Sequence, residues 1–237
     1  MRRTRVERFV EREVIYDKTH WLLLDEKRRK GVELLEYISR MGARGFIFGS
    51  VARGDVHKGS DVEIIIPDHT LVSFIDVILS QRYNVIEKEI VQATPRSAIK
   101  VTFRLRDYVE VVVPAVPLTE KEHEFYRYGG MIGLPEASDS RNRVPGVDKR
   151  LCVIVPTQRG HIEYSIIGRE SEVARLLGVS PEIIEERKRM LTKRDTVGRT
   201  GTYISIKLGP DDDIARTLKA LRDRDPIVRR LFRSRGL

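Results

Sequence analysis

Apolar positions along the chain recur with two different periods, and the changes between them mark out its elements. From Lys18 to Met41 the residues Trp21, Leu22, Leu24, Leu34, Leu35, Tyr37 and Ile38 return at helix-like spacing, and Gly42 ends the run. Ahead of it, Arg2 to Asp17 is charged, with a short apolar alternation over Phe9 to Tyr16. Gly45 to Phe48 and Ile64 to Ile66 are short apolar runs of strand type, and Leu71 to Ser80 is of helix type. Strands are expected near Val85 to Val91, Ile99 to Leu105 and Val109 to Val113. Together these elements predict a small mixed sheet with helices on one face. Periodicity fades from Pro114 to Pro145, where Gly129-Gly130, Pro135 and the polar stretch Ser138 to Arg143 read as a linker or loop.

A second unit follows. Leu151 to Val155 and Ile162 to Ile167 read as strands separated by a Gln-Arg-Gly turn. Glu172 to Leu191 has helix-turn-helix spacing: Ala174 lies four residues before Gly178, Val179-Ser180 forms the turn, and Pro181 suits a first helical turn. Tyr203 to Leu208 offers a wing-like strand. Asp211-Asp212-Asp213, just before the helical run Ile214 to Leu221, is explained by capping. The expected organisation is α+β: residues 1–117 as one domain, 118–146 as an irregular connection, and 147–237 as a smaller basic α+β domain with helix-turn-helix character, possible scaffold or dimerisation unit as well as reader of DNA.

Charge changes the picture of that second unit. The net charge is +9 and the isoelectric point near 9.7, which favours polyanionic partners. Up to Gly146 there are 24 basic and 22 acidic residues, but from Val147 onward 20 and 13, so most of the excess is C-terminal. Glu182, Glu185 and Glu186 would repel phosphates from the presumed reading helix. The candidate nucleic-acid surface is therefore Arg187, Lys188, Arg189, Lys193, Arg194 and Arg199, or the tail Arg229 to Arg235, with a solvated helix face as the alternative for both. The single cysteine, Cys152, forbids an intramolecular disulfide and is expected in the core. No long apolar run or signal-like segment is present, so a cytoplasmic protein without membrane contact is expected.

The most informative stretch is Gly49 to Ile66, GSVARGDVHKGSDVEIII. A Gly-Ser pair ends one apolar run, and ten residues separate it from Asp61-Val62-Glu63, which opens the next. Side chains two apart on a strand share a side, so Asp61 and Glu63 can reach one ion-sized volume while Val62 points to the core. Oxygen ligands beside a phosphate cradle suit Mg2+ better than histidines or thiols would. His57, in the intervening loop, reads more simply as solvated than as a metal ligand.

Phe48-Gly49-Ser50 with Asp61-Val62-Glu63-Ile64 resembles the signature of the DNA polymerase β nucleotidyltransferase superfamily. The inner wording, Gly-Ser-Val-Ala-Arg-Gly and then Gly-Ser-Asp, is similar to that of archaeal CCA-adding enzymes, minimal nucleotidyltransferases and predicted archaeal nucleotidyltransferases. The resemblance covers Lys18 to Pro117. It implies transfer of a nucleoside monophosphate from a nucleoside triphosphate, with ATP the expected donor, to a hydroxyl on nucleic acid or protein. It also implies two Mg2+ or Mn2+ ions held by Asp61, Glu63 and a third carboxylate. Glu110, in Tyr108 to Pro114, matches the third position with Glu in place of Asp; Asp107 is the alternative, of opposite strand parity and at a turn. Gly49, Ser50, Arg53 and Lys58 are the implied phosphate partners. A rival expectation is a catalytically degenerate protein that binds nucleic acid as a regulator.

Overall fold

The computed structural model describes residues 6, 10–198, 201–209 and 211–237. In chain order its elements are β1 (Arg12–Ile15), α1 (Lys18–Arg40), β2 (Phe46–Phe48), α2 (Ser50–Arg53), β3 (Val62–Ile65), α3 (Val72–Arg82) and β4 (Val85–Gln92). Next come β5 (Lys100–Leu105), β6 (Val109–Pro114), α4 (Glu120–Tyr128), β7 (Met131–Ile132), β8 (Gly146–Val147), β9 (Cys152–Thr157) and β10 (Gly160–Ser165). The chain closes with α5 (Glu170–Leu177), α6 (Pro181–Val197), β11 (Ile204–Leu208), α7 (Ile214–Arg224) and α8 (Pro226–Ser234). The protein is therefore mixed α and β.

Two compact units interleave along the chain. The first comprises Met1–Glu36, Phe46–Glu63 and Glu120–Thr200, the second Tyr37–Gly45, Ile64–Thr119 and Gly201–Leu237. Each is assembled from three separate segments of the chain.

The first unit contains an antiparallel sheet in the order β1-β10-β9-β8, with Glu13 opposite Ile162, Glu163 opposite Ile154, and Gly146 also opposite Ile154. Gly160 is required where β1 meets the hairpin, because a Cβ there would lie 1.9 Å from the Val14 carbonyl oxygen. One core joins this sheet to helices, drawing Val153 and Tyr164 from strands, Val173 and Ala174 from α5, and Ile184 and Leu191 from α6. Burying such side chains removes about 25 cal/mol of unfavourable hydration per Å² of apolar surface. Gly178, at φ +60°, ends α5, and Pro181 opens α6, so the predicted helix, turn and helix are all present. A buried carboxylate on α4 fastens that turn: Glu124 accepts Ser180 N at 2.8 Å and Ser180 Oγ at 2.5 Å.

Helix α4 itself falls in the stretch whose sequence reads as irregular. Its opening, Glu120 to Glu124, is uniformly polar, and only Phe125, Tyr126 and Tyr128 carry its apolar face, too short a run for a helical period to show. The strand expected as a wing, β11, pairs antiparallel with β4, Ile206 opposite Ile90, and belongs to the second unit, whereas α5 and α6 belong to the first.

The second unit has its own antiparallel order, β11-β4-β5-β6, with Ile90 opposite Val101 and Val101 opposite Val113. Alternation buries Ile90, Val101, Phe103, Val111 and Val113. The opposite face carries Glu87, Glu89, Arg104 and Glu110 in one ionic cluster. Asp213 caps α7 by accepting Arg216 N at 3.0 Å, as the capping reading of the aspartate triplet requires. Helix α8 buries Val228, Leu231 and Phe232 and leaves Arg229, Arg230 and Arg233 exposed. Cys152 is fully buried. Among the described residues no helix is long and apolar enough to cross a membrane.

Candidate functional site

The Gly-Ser turn is built by backbone geometry that a side chain would prevent. Gly49 adopts φ +78° and ψ −148°, a region open to glycine, and a Cβ there would stand 2.7 Å from Glu63 Oε2. Gly49 N donates to the Gly130 carbonyl at 2.9 Å, and its own carbonyl accepts Ala52 N and Arg53 N at 3.1 Å each. The single-turn helix α2 closes at Gly54, φ +102°, whose N–H reaches Ser50 O at 2.7 Å. Below it, fully buried Arg28 donates Nη2 to Val51 O at 2.8 Å and Nη1 to Asn142 O at 3.0 Å. Burial pulls that guanidinium down to about 10. The loop back to β3 is tied by His57 N to Ser60 Oγ at 2.9 Å, and by buried Lys27 to Ser60 O at 2.6 Å.

This turn forms one wall of a cavity of about 440 Å³, lying wholly within the first unit. That volume is in the range of small-ligand sites, roughly 300–1,000 Å³. Phe48, Gly49, Ser50, Arg53, Asp61 and Glu63 come from the motif, Phe125, Tyr128 and Gly129 from α4 and its end, Val147 from β8, Asp148 to Arg150 from the loop after it, and Arg187 from α6.

Several of its charges are already matched. Arg53 is buried and forks onto Asp55, Nε to Oδ1 at 3.0 Å and Nη2 to Oδ2 at 2.9 Å, while Nη1 meets Gly129 O at 2.5 Å. Burial acts against its charge, but Asp55 prevails and holds the guanidinium above its ordinary range. Arg150 bridges Asp148, at 2.6 Å, and Glu163, at 2.5 Å. Burial raises the Asp148 carboxyl above the usual carboxylate range despite Arg150. With the pairs Arg53–Asp55 and Arg150–Asp148 set aside, the charged groups on the lining are Asp61 and Glu63 on one hand, Lys149 and Arg187 on the other. Asp61 and Lys149 are exposed, and among the described residues neither forms a hydrogen bond or ion pair; Ser50 Oγ is likewise unbonded.

Of the residues singled out from sequence, Gly49, Ser50, Arg53, Asp61, Glu63 and Arg187 line this one cavity. Lys58 is exposed in the loop and does not line it. Glu110 belongs to the second unit, where Arg104 Nε donates to it at 3.0 Å. Asp107 lies in the short turn before β6, at φ +60°. Lys188 is paired with Glu170 at 2.6 Å and Glu185 at 2.8 Å, whereas Arg189, Lys193 and Arg194 are exposed on α6. Arg199 lies outside the described residues. Lys149, Phe125 and Tyr128 join the site without having been singled out. A lone lysine after an aspartate and aromatics in a polar segment carry no local signal of a site.

Among the described residues no group of three or more His, Cys, Asp or Glu side chains is assembled to hold a metal ion. The pair Asp61 and Glu63 offers oxygen donors only, a set that suits a hard cation keeping phosphate and water ligands of its own. Comparison with protein-family models, with curated proteins and with solved structures yields no match for this chain.

Proposed function

We propose that the protein is a divalent-metal-dependent nucleotidyltransferase, passing a nucleoside monophosphate from a triphosphate such as ATP to a hydroxyl on nucleic acid or protein. The observation that carries this reading is the shared cavity: the Gly49-Ser50 turn and the Asp61/Glu63 pair, ten residues apart in sequence, line the same 440 Å³ space. Nucleotide chemistry needs a place for phosphate oxygens beside carboxylates that tolerate a metal, and these residues supply both.

Each group has a part that follows from its surroundings. Gly49 leaves its backbone open to a phosphate, because no side chain fits between it and Glu63. Ser50 Oγ, unbonded, is a donor for a phosphate oxygen. Asp61 and Glu63 would hold Mg2+ or Mn2+, which when bound lowers the pKa of the attacking hydroxyl and neutralises charge on the phosphates. Arg53, fixed and matched by Asp55, is a rigid part of the wall rather than a mobile ligand. Glu110 enters as third carboxylate on the strength of the sequence resemblance alone.

The test is transfer of label from α-labelled nucleoside triphosphates, with Mg2+ or Mn2+ and with or without RNA and a protein extract, against Asp61→Asn/Glu63→Gln. Label entering RNA or protein only with the unaltered chain supports the enzyme and names its acceptor class. Absence of both transfer and metal-dependent nucleotide binding would sink the reading.

A second reading has its own observation. Glu110 is engaged by Arg104, together with Glu87 and Glu89, an arrangement that favours a protein that binds nucleotide or nucleic acid and regulates without transferring. Nucleotide binding that needs Asp61, with no transfer to any acceptor, would select it.

A further inference from the structure

Arg187 is a cation without a counter-ion. Among the described residues no carboxylate lies within ion-pair distance of its guanidinium. Its partners are the Met190 thioether, 3.7 Å from Nη1, and the Phe125 ring, whose centroid is 4.9 Å from Cζ. Its Nε is sealed from solvent with no hydrogen-bond acceptor, and the neighbouring Tyr128 hydroxyl is buried in the same condition. The Tyr128 hydroxyl and the Arg187 guanidinium lie close enough for each to influence the other's protonation. Burial pulls the Arg187 guanidinium below its ordinary range and pushes the Tyr128 hydroxyl above its own.

Such an arrangement is unfavourable as it stands. A partly buried charge without a partner and a sealed donor without an acceptor each cost stability, and a thioether and an aromatic face recover only part of it. The sealed Nε and Tyr128 hydroxyl are closed even to water, so a ligand in the cavity meets Arg187 through the rest of its guanidinium, and the charge it would answer calls for an anion. Lys149, exposed and unpaired, lines the cavity too. A single carboxylate carries one charge for two cations, whereas a chain of phosphates presents enough charge and oxygens for both.

We propose that Arg187, with Lys149, forms the receptor for a polyphosphate chain, the part of a nucleoside triphosphate that leaves as pyrophosphate. The proposal rests on the nucleotide reading above only for the molecule that carries the phosphates; the receptor itself follows from the unpaired cations. The lining then offers two kinds of charge, carboxylates at Asp61 and Glu63 for a metal and cations at Lys149 and Arg187 for the tail. It also gives α6 a role that differs from reading nucleic acid.

The experiment is calorimetric titration of the full chain with sodium tripolyphosphate, ATP and AMP in EDTA, so that Asp61 and Glu63 have no metal to hold. Tripolyphosphate and ATP are expected to bind, AMP far more weakly, and Arg187→Gln and Lys149→Gln each to weaken tripolyphosphate by about tenfold or more. ATP tighter than tripolyphosphate identifies a nucleotide as the carrier, and equal binding identifies the phosphate chain as the whole ligand. Arg187→Met guards against misfolding: without ligand its melting temperature should equal or exceed that of the unaltered chain, and tripolyphosphate should no longer raise it. Lys149→Gln, at an exposed position, keeps the test valid should both Arg187 variants fail to fold. No binding of tripolyphosphate, or equal binding by the Arg187 and Lys149 variants, overturns the proposal. Arg187-dependent binding without nucleotidyl transfer would keep the receptor while the transferase reading fails.

Discussion

Glu63 stands against the backbone of Gly49, its Oε2 only 2.7 Å from where a side chain at 49 would begin. The Gly-Ser turn and the carboxylate pair are thus coupled by contact as well as by spacing. Gly49→Ala is expected to introduce both backbone strain, at φ +78°, and displacement of Glu63. The expected loss is about 1–3 kcal/mol in urea melts, with nucleotide affinity falling in the same variant. A variant as stable and as competent as the unaltered chain would show that the contact is not needed.

Arg28 holds the underside of the turn through carbonyls, and among the described residues no carboxylate is hydrogen-bonded to its guanidinium. Its replacement by Ala removes bonds to Val51 and Asn142 and leaves a gap in a fully buried position. The expected destabilisation is about 2–4 kcal/mol, read from chemical denaturation. Arg28→Lys should recover only part of it, because an ammonium cannot fork onto carbonyls on two sides at once.

Glu163 links Arg12 and Arg150, with His161 Nε2 3.8 Å away, and its carboxyl is held down at about 2 even though burial pulls the other way. Its folded pKa lies below the ordinary carboxylate value, so its contribution is present above about pH 5 and is lost as pH falls toward 2. Because Arg12 and Arg150 are partly solvated, about 1–2 kcal/mol is expected from it rather than the full shift. Melts between pH 6 and pH 3 should show Glu163→Gln less stable at pH 6 and less sensitive to acid. Parallel pH profiles would refute this.

Arg104 gathers Glu87, Glu89 and Glu110 across three strands. Arg104→Leu would leave three carboxylates facing one another. Since the cluster is partly solvated, the expected cost is small and should shrink further as added salt screens the carboxylates from one another. Denaturation at low and high salt distinguishes this from a packing defect, which salt would not selectively relieve.

The local grammar of the chain was legible. Helical spacing from Lys18 and alternation near Val85, Ile99 and Val109 report which face of each element meets apolar surroundings, and α1, β4, β5 and β6 follow them. The placement of Gly49 and Ser50 ahead of Asp61 and Glu63 is equally local, since a turn and one strand suffice to bring them to one cavity wall. What tertiary structure alone decided depends on pairings between distant residues, which leave no periodic trace. Arg53 looks like a free cation until Asp55 and the Gly129 carbonyl enclose it. Alternation puts Glu110 on the polar face of β6, but only strand register gives it Arg104. Arg187 reads as one more charge on a basic helix, and its isolation in a cavity wall follows from the packing of α4 and α6 around Phe125 and Tyr128. Local sequence determines backbone conformation and which side of an element is apolar. Whether a charge is matched or left waiting for a ligand depends on what the rest of the chain brings within about 4 Å of it.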